Sequence, residues 1–587
     1  MRFSLLACDY DGTLALHGRV SATTVAALER LLASGRKLVM VTGRELDELL
    51  GIFPQVHLFE WIVAENGALL YRPSNREVKL LAEPPPEAFV RSLRQQGVTP
   101  MSVGRAIVAT WQPHENVVLQ TIREQGLELQ VIFNKGAVMV LPAGVNKATG
   151  LAAALKEMCL SPHEAVGVGD AENDHAFLSQ CEFSAAVANA LPSIKERADL
   201  VTVGDHGDGV QELIDRMIAN DLADFEPRLL RHFLTIGSDD KGLDVRLSPY
   251  GPGILIAGPS GSGKSTTTTS FLERLAERHY QFCIIDPEGD YNALEFAITV
   301  GTSQIGPAVE EVLQVLAHPD QNAVVNMVGL RLGDRPAFFL KLLPQLLELR
   351  SRTNRPHWLI IDEAHHLLPA TWEPGSLATQ EALKCTALIT VHPDQVHPAP
   401  LRAIGTILAV GGSPDETIER FCKSLAEPVP APSGITLDAG EVLLWQRQVG
   451  ATPLKVRVAP SRTERRRHTR KYAEGELPPD RSFYFRGPEG KLNLRAQNLM
   501  LFLQMADGVD DQTWLHHLQQ GDYSRWFRDR IKDDSLAAEA EEIERTANLS
   551  PQQGRALIRQ AVERRYTLPA SAPVPIPDAG LPKDKSP

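Results

Sequence analysis

Again and again in this chain a short, largely apolar run breaks off into small and acidic residues. Phe3–Cys8 leads into Asp9-Tyr10-Asp11-Gly12-Thr13, and Ala165–Val168 leads into Gly169-Asp170-Ala171-Glu172-Asn173-Asp174. Later, Gly253–Ala257 leads into Gly258-Pro259-Ser260-Gly261-Ser262-Gly263-Lys264-Ser265, and Trp358–Ile361 into Asp362-Glu363-Ala364-His365. Strands without polar alternation are covered on both faces, the mark of a parallel sheet layered between helices. Lys37–Val41, Trp61–Ala64, Gln281–Ile285, Ala323–Met327, Ala387–Val391 and Gly405–Ala409 read the same way, with amphipathic stretches such as Ser21–Ser34 between them. The expected fold class is α/β: two doubly wound parallel-sheet domains, then a mostly helical C-terminal domain. Such sheets hold their ligands at the carboxyl ends of the strands, where these acidic and glycine-rich runs fall.

A chain of 587 residues has room for about four domains at roughly 150 residues each. The alternation predicts a first domain over 1–222. Within it, Arg105–Trp111, Glu115–Glu124 and Leu127–Leu141 break the rhythm and predict an inserted α+β cap over about 84–142. A second domain is expected over 228–457, and a basic linker over 458–482. A helical domain is expected over 483–567, with Trp514 and Trp526 in its core, and a disordered Pro-rich tail over 568–587. The net charge of −13 leaves no global field for nucleic acid or anionic membrane. No apolar run approaches the roughly 20 residues of a membrane span, and no cleavable leader is expected. The six cysteines have no Cys-x-x-Cys spacing, so neither a disulfide framework nor a zinc site is expected. The expected setting is cytoplasmic.

In a strand, residues i and i+2 point to one side, so Asp9 and Asp11 are expected to converge past the first strand. Two carboxylates this close repel, and oxygen-only ligands favour Mg²⁺ between them. Val39–Arg44 (VMVTGR) brings Thr42 and Gly43 to the same edge. Lys147 opens a helix as a point charge suited to a phosphoryl oxygen, and Asp170 and Asp174 add carboxylates.

This set, in this order and with Ala64-Glu65-Asn66-Gly67-Ala68, resembles the haloacid-dehalogenase-like phosphohydrolases whose cap lies between the second and third motifs (class IIB). The resemblance covers about 1–222. It implies Asp9 as a nucleophile forming an aspartyl-phosphate, and Asp11 as the acid that protonates the leaving oxygen and then activates water. It further implies Thr42 and Lys147 as phosphoryl holders, Asp9, Asp11, Asp170 and Asp174 around Mg²⁺, and Asn173 as an orienting group. The cap favours a small phosphorylated substrate such as a sugar phosphate. Trp111, His114 and Asn116 are candidates for its pocket, Trp111 reading first as cap core.

Gly258–Ser265 matches G-x-x-x-x-G-K-[ST] between a strand and the helix expected over Thr266–Glu277. Its glycines, Gly258, Gly261 and Gly263, allow a curl whose N–H groups, with those of Ser262 and Thr266 at the helix start, face phosphates. Lys264 is expected to reach the outer phosphates of ATP and Ser265 to ligand Mg²⁺. Asp362 is placed to hold Mg²⁺ through water, and Glu363 to polarise the attacking water, which favours hydrolysis over kinase transfer.

With Asp286-Pro287-Glu288-Gly289-Asp290-Tyr291 after the second strand and Asp362-Glu363-Ala364-His365 later, 228–457 resembles the HerA/FtsK-like branch of P-loop ATPases. That resemblance implies ring-forming, nucleic-acid-processing motors. The sequence departs from it at Thr390-Val391-His392, where relatives often carry glutamine, and Arg402 and Arg420 are the candidates for an arginine finger. The leading expectation is a bifunctional Mg²⁺-dependent phosphatase and ATPase. The alternatives are a HerA-like motor or polynucleotide kinase–phosphatase-like enzyme, and an ATP-switched regulatory scaffold. Arg462, Arg465, Arg466, Arg467, Arg470 and Lys471 form a basic run that reads first as a solvated linker and second as a nucleic-acid contact.

Overall fold

The computed structural model describes residues 2–134, 136–371, 383–447, 452–462, 477, 481–488, 490, 492–531, 533–546 and 549–566. The chain divides into two compact units, Met1–Thr463 and Glu464–Pro587.

The first unit holds two large sheets. In the eight-stranded sheet, Leu5–Cys8 lies at the centre, between Ala165–Gly169 and Lys37–Val41, and all three run parallel. Phe183–Ala186 and Leu200–Val201 extend one side in parallel; Trp61–Ala64 extends the other before Leu69–Arg72 and Glu77–Leu80 turn antiparallel. The central strands are buried on both faces, as their unbroken apolar character requires. A separate four-stranded antiparallel sheet forms the cap: Met101–Val103, Val108–Trp111, Ala137–Pro142 and Leu129–Asn134, in that spatial order. Helices Glu87–Gln95 and Glu115–Glu124 bury Phe89, Leu93 and Val118 in the cap's core. Trp111 is not in that core. It is the last residue of its strand, 52% exposed, because alternation turns it to the open face.

The eleven-stranded sheet has Gly253–Ala257 between Ile404–Val410 and Thr386–Thr390, with Trp358–Ile361, Phe282–Asp286, Ala323–Asn326 and Ile298–Val300 following in parallel. Four antiparallel strands, Glu441–Gln446, Leu454–Val458, Leu234–Ser238 and Asp244–Leu247, complete the other edge. The helix after the glycine-rich loop starts at Lys264, two residues before the expected Thr266, and ends at Glu277.

The two large sheets meet at the amino ends of their strands, through a buried polar seam. His163 and Glu164 precede the strand Ala165–Gly169. Tyr280 and Gln281 precede Phe282–Asp286, and Arg355 and His357 precede Trp358–Ile361. The His163 ring sets Nδ1 2.6 Å from Glu182 Oε2 and Nε2 2.7 Å from the carbonyl of Arg278, which caps the helix Lys264–Glu277. The Tyr280 hydroxyl donates to Glu182 Oε2 at 3.1 Å and Arg2 donates to Glu182 Oε1 at 2.7 Å. Arg355 donates to the carbonyl of Cys159 at 2.9 Å and lies 3.2 Å from Glu164. Burial alone would raise the Glu182 carboxyl, but His163, His232 and Arg2 hold it down at about 2.

Burial pulls the His232 imidazole down to about 4, so the folded chain keeps that ring neutral where an unfolded one takes a proton. The unfolded state therefore binds more protons between about pH 6.5 and 4, and this contribution to stability is lost as pH falls through that window. Between pH 7.5 and 5.5 the wild-type chain is expected to lose about 1 kcal/mol more than His232→Gln, as read by paired thermal melts. Equal slopes for the two proteins would refute a neutral buried His232.

The second unit pairs a short hairpin, Phe483–Phe485 with Leu494–Ala496, with helices between Leu499 and Tyr566. The hairpin stands at the start of this otherwise mostly helical region. Trp514, Tyr523 and Trp526 are buried around Phe483 and Phe502, while Tyr484 faces the other side of the strand. Of the basic run, Arg462 pairs with Glu277 at 2.9 Å; the rest of it and the Pro-rich tail lie outside the described residues. Among the described residues no helix is long and apolar enough to cross a membrane.

Candidate functional sites

Each large sheet carries one constellation at the carboxyl ends of its strands, and so at the end remote from the seam. Strands of five residues at roughly 3.3 Å per residue put each site about 16 Å from it.

In the first site, Asp9 follows Leu5–Cys8 and Asp170 follows Ala165–Gly169, so the parallel pairing sets them side by side. Asp174 folds back, and its Oδ2 accepts the N–H groups of Asp170 and Ala171 at 2.9 Å each. Asp9, Asp170 and Asp174 bring carboxylate oxygens within 4.8 Å of one another, all buried. Lys147 Nζ sits between two of them, 2.5 Å from Asp9 and 2.6 Å from Asp174. It gets there because Asn146 caps the helix Lys147–Glu157 in a capping box with Thr149. That helix start also crosses Gly67 so closely that a Cβ there, at φ +102, would lie 1.9 Å from the Asn146 carbonyl oxygen. Burial and the Asp174 charge push the Asp9 carboxyl up against the pull of Lys147. Burial pulls the Lys147 ammonium down, but Asp174 and Asp9 reverse this and leave it raised.

Asp11 departs from the expectation. Its carboxylate does not join the cluster but is held by the Arg44 guanidinium, at 2.5 and 2.7 Å. Arg44 also pairs with Glu48. The arginine that closes Thr-Gly-Arg was the signal, since a cation one turn from Thr42 reaches the same strand end. Thr42 is buried at that edge, its hydroxyl accepting the Arg44 N–H at 3.1 Å. Asn173 donates to Asn66 Oδ1 at 3.1 Å. Asp9, Asp11, Arg44 and Lys147 line a cavity of about 440 Å³ roofed by Met101, Ile107, Trp111 and Met139 of the cap. Trp111 thus reaches the pocket, whereas His114 and Asn116 do not line it; His114 Nε2 instead lies 3.0 Å from the Thr99 carbonyl.

In the second site, the loop after Gly253–Ala257 curls through Gly258, Gly261 and Gly263, all at positive φ. Lys264 Nζ donates to the carbonyls of Gly258 and Pro259 at 2.9 and 3.0 Å, folded over its own loop. The Ser265 hydroxyl lies 3.3 Å from Asp290 Oδ2, and Ser262 and Thr266 flank the same turn. Trp358–Ile361 is two strands from the loop strand, with Thr386–Thr390 between, so Thr390 ends between the loop and the acids Asp362 and Glu363. Burial raises the Asp362 carboxyl well above its usual range, with Glu363 and Asp290 adding to it. Burial and Asp290 push Asp286 up to about 7, although it accepts the N–H groups of Gly289, Asp290 and Tyr291.

Sequence reasoning left His365 without a role. Its Nδ1 lies 3.0 Å from the Thr390 hydroxyl and 3.4 Å from Glu363 Oε2, so it links the acid to the neighbouring strand. Burial, with His366 and His392 nearby, draws it down to about 4, and it stays neutral. Arg402 precedes Ile404–Val410 at the amino end of the sheet, remote from the phosphate loop of its own chain.

A family model for haloacid dehalogenase-like hydrolases matches residues 6–96 and 112–214, and one for the AAA ATPase domain matches 243–388. A phosphoglycolate phosphatase of Methanothermobacter thermautotrophicus is 31% identical over 219 residues, which are 36% of this chain and 98% of that protein. Phosphoglycolate phosphatase 2 of Saccharolobus solfataricus is 33% identical over 226 residues, 37% of this chain and 92% of that protein. Among solved structures, a haloacid dehalogenase-like hydrolase from Bacteroides thetaiotaomicron aligns at TM-score 0.33 and 19% identity, covering 37% of this chain and 99% of that one.

Proposed function

Because this chain belongs to the haloacid dehalogenase-like hydrolases and also carries an AAA ATPase domain, we propose that it is a phosphatase for small phosphorylated acids or sugars, joined to an ATP-hydrolysing domain. The observation that carries the phosphatase reading is the buried Lys147 ammonium seated between Asp9 and Asp174. That ion pair offsets the Asp9 charge as a phosphate dianion approaches, and Asp9 lines the cavity in which the ester would sit.

Asp9 attacks phosphorus and the ester oxygen leaves. Asp11, once off Arg44 and protonated from solvent, gives that oxygen its proton, then as the carboxylate takes one back from the water that opens the aspartyl-phosphate. Thr42 and Lys147 hold the transferring oxygens. The all-oxygen set of Asp9, Asp170 and Asp174 fits Mg²⁺, with Asp11 adjacent; bound there, the ion supplies further charge neutralisation. In the ATPase, the N–H groups of Gly258–Thr266 and the Lys264 ammonium bind phosphates. Ser265 and Asp362 would hold the nucleotide's Mg²⁺, and Glu363, steadied by His365, polarises water. The motif order Asp286–Tyr291 and Asp362–His365 supports a HerA/FtsK-like affiliation within these ATPases.

The roofed cavity of about 440 Å³ suits a small ester better than a polymer. With the phosphoglycolate phosphatases as relatives, 2-phosphoglycolate is the first substrate to test, beside sugar phosphates and a 3′-phosphorylated oligonucleotide. Phosphate release is expected from the small esters, with the oligonucleotide at least about 100-fold slower in kcat/KM. Turnover of the oligonucleotide alone would sink this reading.

A further inference from the structure

Glu65 is fully buried and takes no part in the chemistry above. It stands in the turn after Trp61–Ala64 at φ +52, a left-handed conformation unusual for glutamate. Its backbone is tied to the floor of the phosphatase site: its N–H donates to the Arg44 carbonyl at 2.9 Å, and the next N–H, of Asn66, donates to the Thr42 carbonyl at 3.0 Å. Its side chain reaches the other way, into the cap. Oε1 accepts the N–H of Arg105 at 3.0 Å, and Oε2 accepts those of Ala106 and Ile107 at 2.6 and 3.2 Å.

Three consecutive amides converging on one carboxylate form an anion nest, and here the anion belongs to the protein. The fit is close. A Cβ on Gly104 would lie 2.8 Å from the Glu65 carboxylate, so any larger residue there would push that carboxylate out of its present place. Two further ties lie beside it. The Arg105 guanidinium bonds Asp47 at 2.8 Å, and Ser102 bonds Glu45. The segment so held delivers Met101, Ser102 and Ile107 to the cavity wall.

We propose that Glu65 is a positioning residue that seats the cap over the phosphatase site, coupling the place of residues 104–107 to the Thr42–Arg44 loop. The proposal rests on the phosphatase reading. A seated cap excludes water and presses a small ester onto Asp9, whereas an ester carrying its own activated leaving group depends less on that seat.

The test uses the full-length chain with Glu65→Ala and Glu65→Gln. Hydrogen exchange is followed at the amides of Ala106 and Ile107, and kcat and KM are measured for 2-phosphoglycolate and p-nitrophenyl phosphate. With Glu65→Ala, exchange at both amides is expected to quicken at least about tenfold while the main melting transition holds. On 2-phosphoglycolate, kcat/KM is expected to fall about 100-fold, against about threefold or less on p-nitrophenyl phosphate. Glu65→Gln keeps one acceptor oxygen and is expected to recover part of both losses. Unchanged exchange in Glu65→Ala would overturn the proposal. So would equal loss on both substrates with a collapsed melting transition in both variants, which would make Glu65 a fold element only. A wild-type chain idle on 2-phosphoglycolate would count against the substrate reading instead, and the exchange and aryl-phosphate readings would still decide about Glu65.

Discussion

Asp9→Asn is expected to lower phosphomonoester turnover by at least about 10⁴-fold in kcat while ATP hydrolysis stays within about twofold of wild type. Asparagine fills the same volume but offers no carboxylate to attack phosphorus. The fold should tolerate it, because Lys147 keeps the Asp174 carboxylate at 2.6 Å and so is not left as an unpaired buried charge. Phosphate release from 2-phosphoglycolate and from ATP, with a melting curve for each protein, separates the effects. Residual phosphatase activity above about one per cent would mean that another group is the nucleophile.

Lys264→Ala is expected to give the mirror result: ATP hydrolysis lower by about 10²- to 10³-fold, and phosphatase activity retained. In the structure Lys264 folds over the carbonyls of Gly258 and Pro259, so its ammonium already lies inside the curl that phosphates would enter. Removing it leaves the backbone amides but takes away the one flexible point charge among them. The loop itself should persist, since its curl depends on Gly258, where a Cβ would come within 2.1 Å of the Val410 carbonyl oxygen. A variant that hydrolyses ATP at the wild-type rate would remove this loop from the ATPase chemistry.

Much of the two sites was legible because each strand that carries them is buried on both faces, and the apolar run stops where the ligand edge begins. Asp9, Asp170 and Asp362 stand at such ends, and Lys264 follows the loop that begins at one. What escaped the sequence depended on contacts across space. Asp11 was expected among the metal carboxylates by strand alternation and by the family resemblance, but Arg44, 33 residues on, takes its carboxylate. Trp111 was expected in the cap core because a large aromatic ordinarily is, but register sets it on the open face. Phe483–Phe485 and Leu494–Ala496 are only three residues each and give no period to read. His365 carries a role only once Thr390 is beside it, and nothing in Asp-Glu-Ala-His announces that neighbour.

The seam between the two sheets changes how a mutant screen of this chain would read. A substitution at Asp9 or Lys264 is expected to silence one reaction and spare the other. Damage at Glu182, Tyr280 or Arg355, where Glu182 takes the Tyr280 hydroxyl and Glu164 meets the Arg355 guanidinium across the seam, strikes no reacting atom yet is expected to undermine both supports at once. Alleles that lose the two activities together should therefore cluster in this middle layer, and their phenotype would resemble a deletion far more than a dead enzyme.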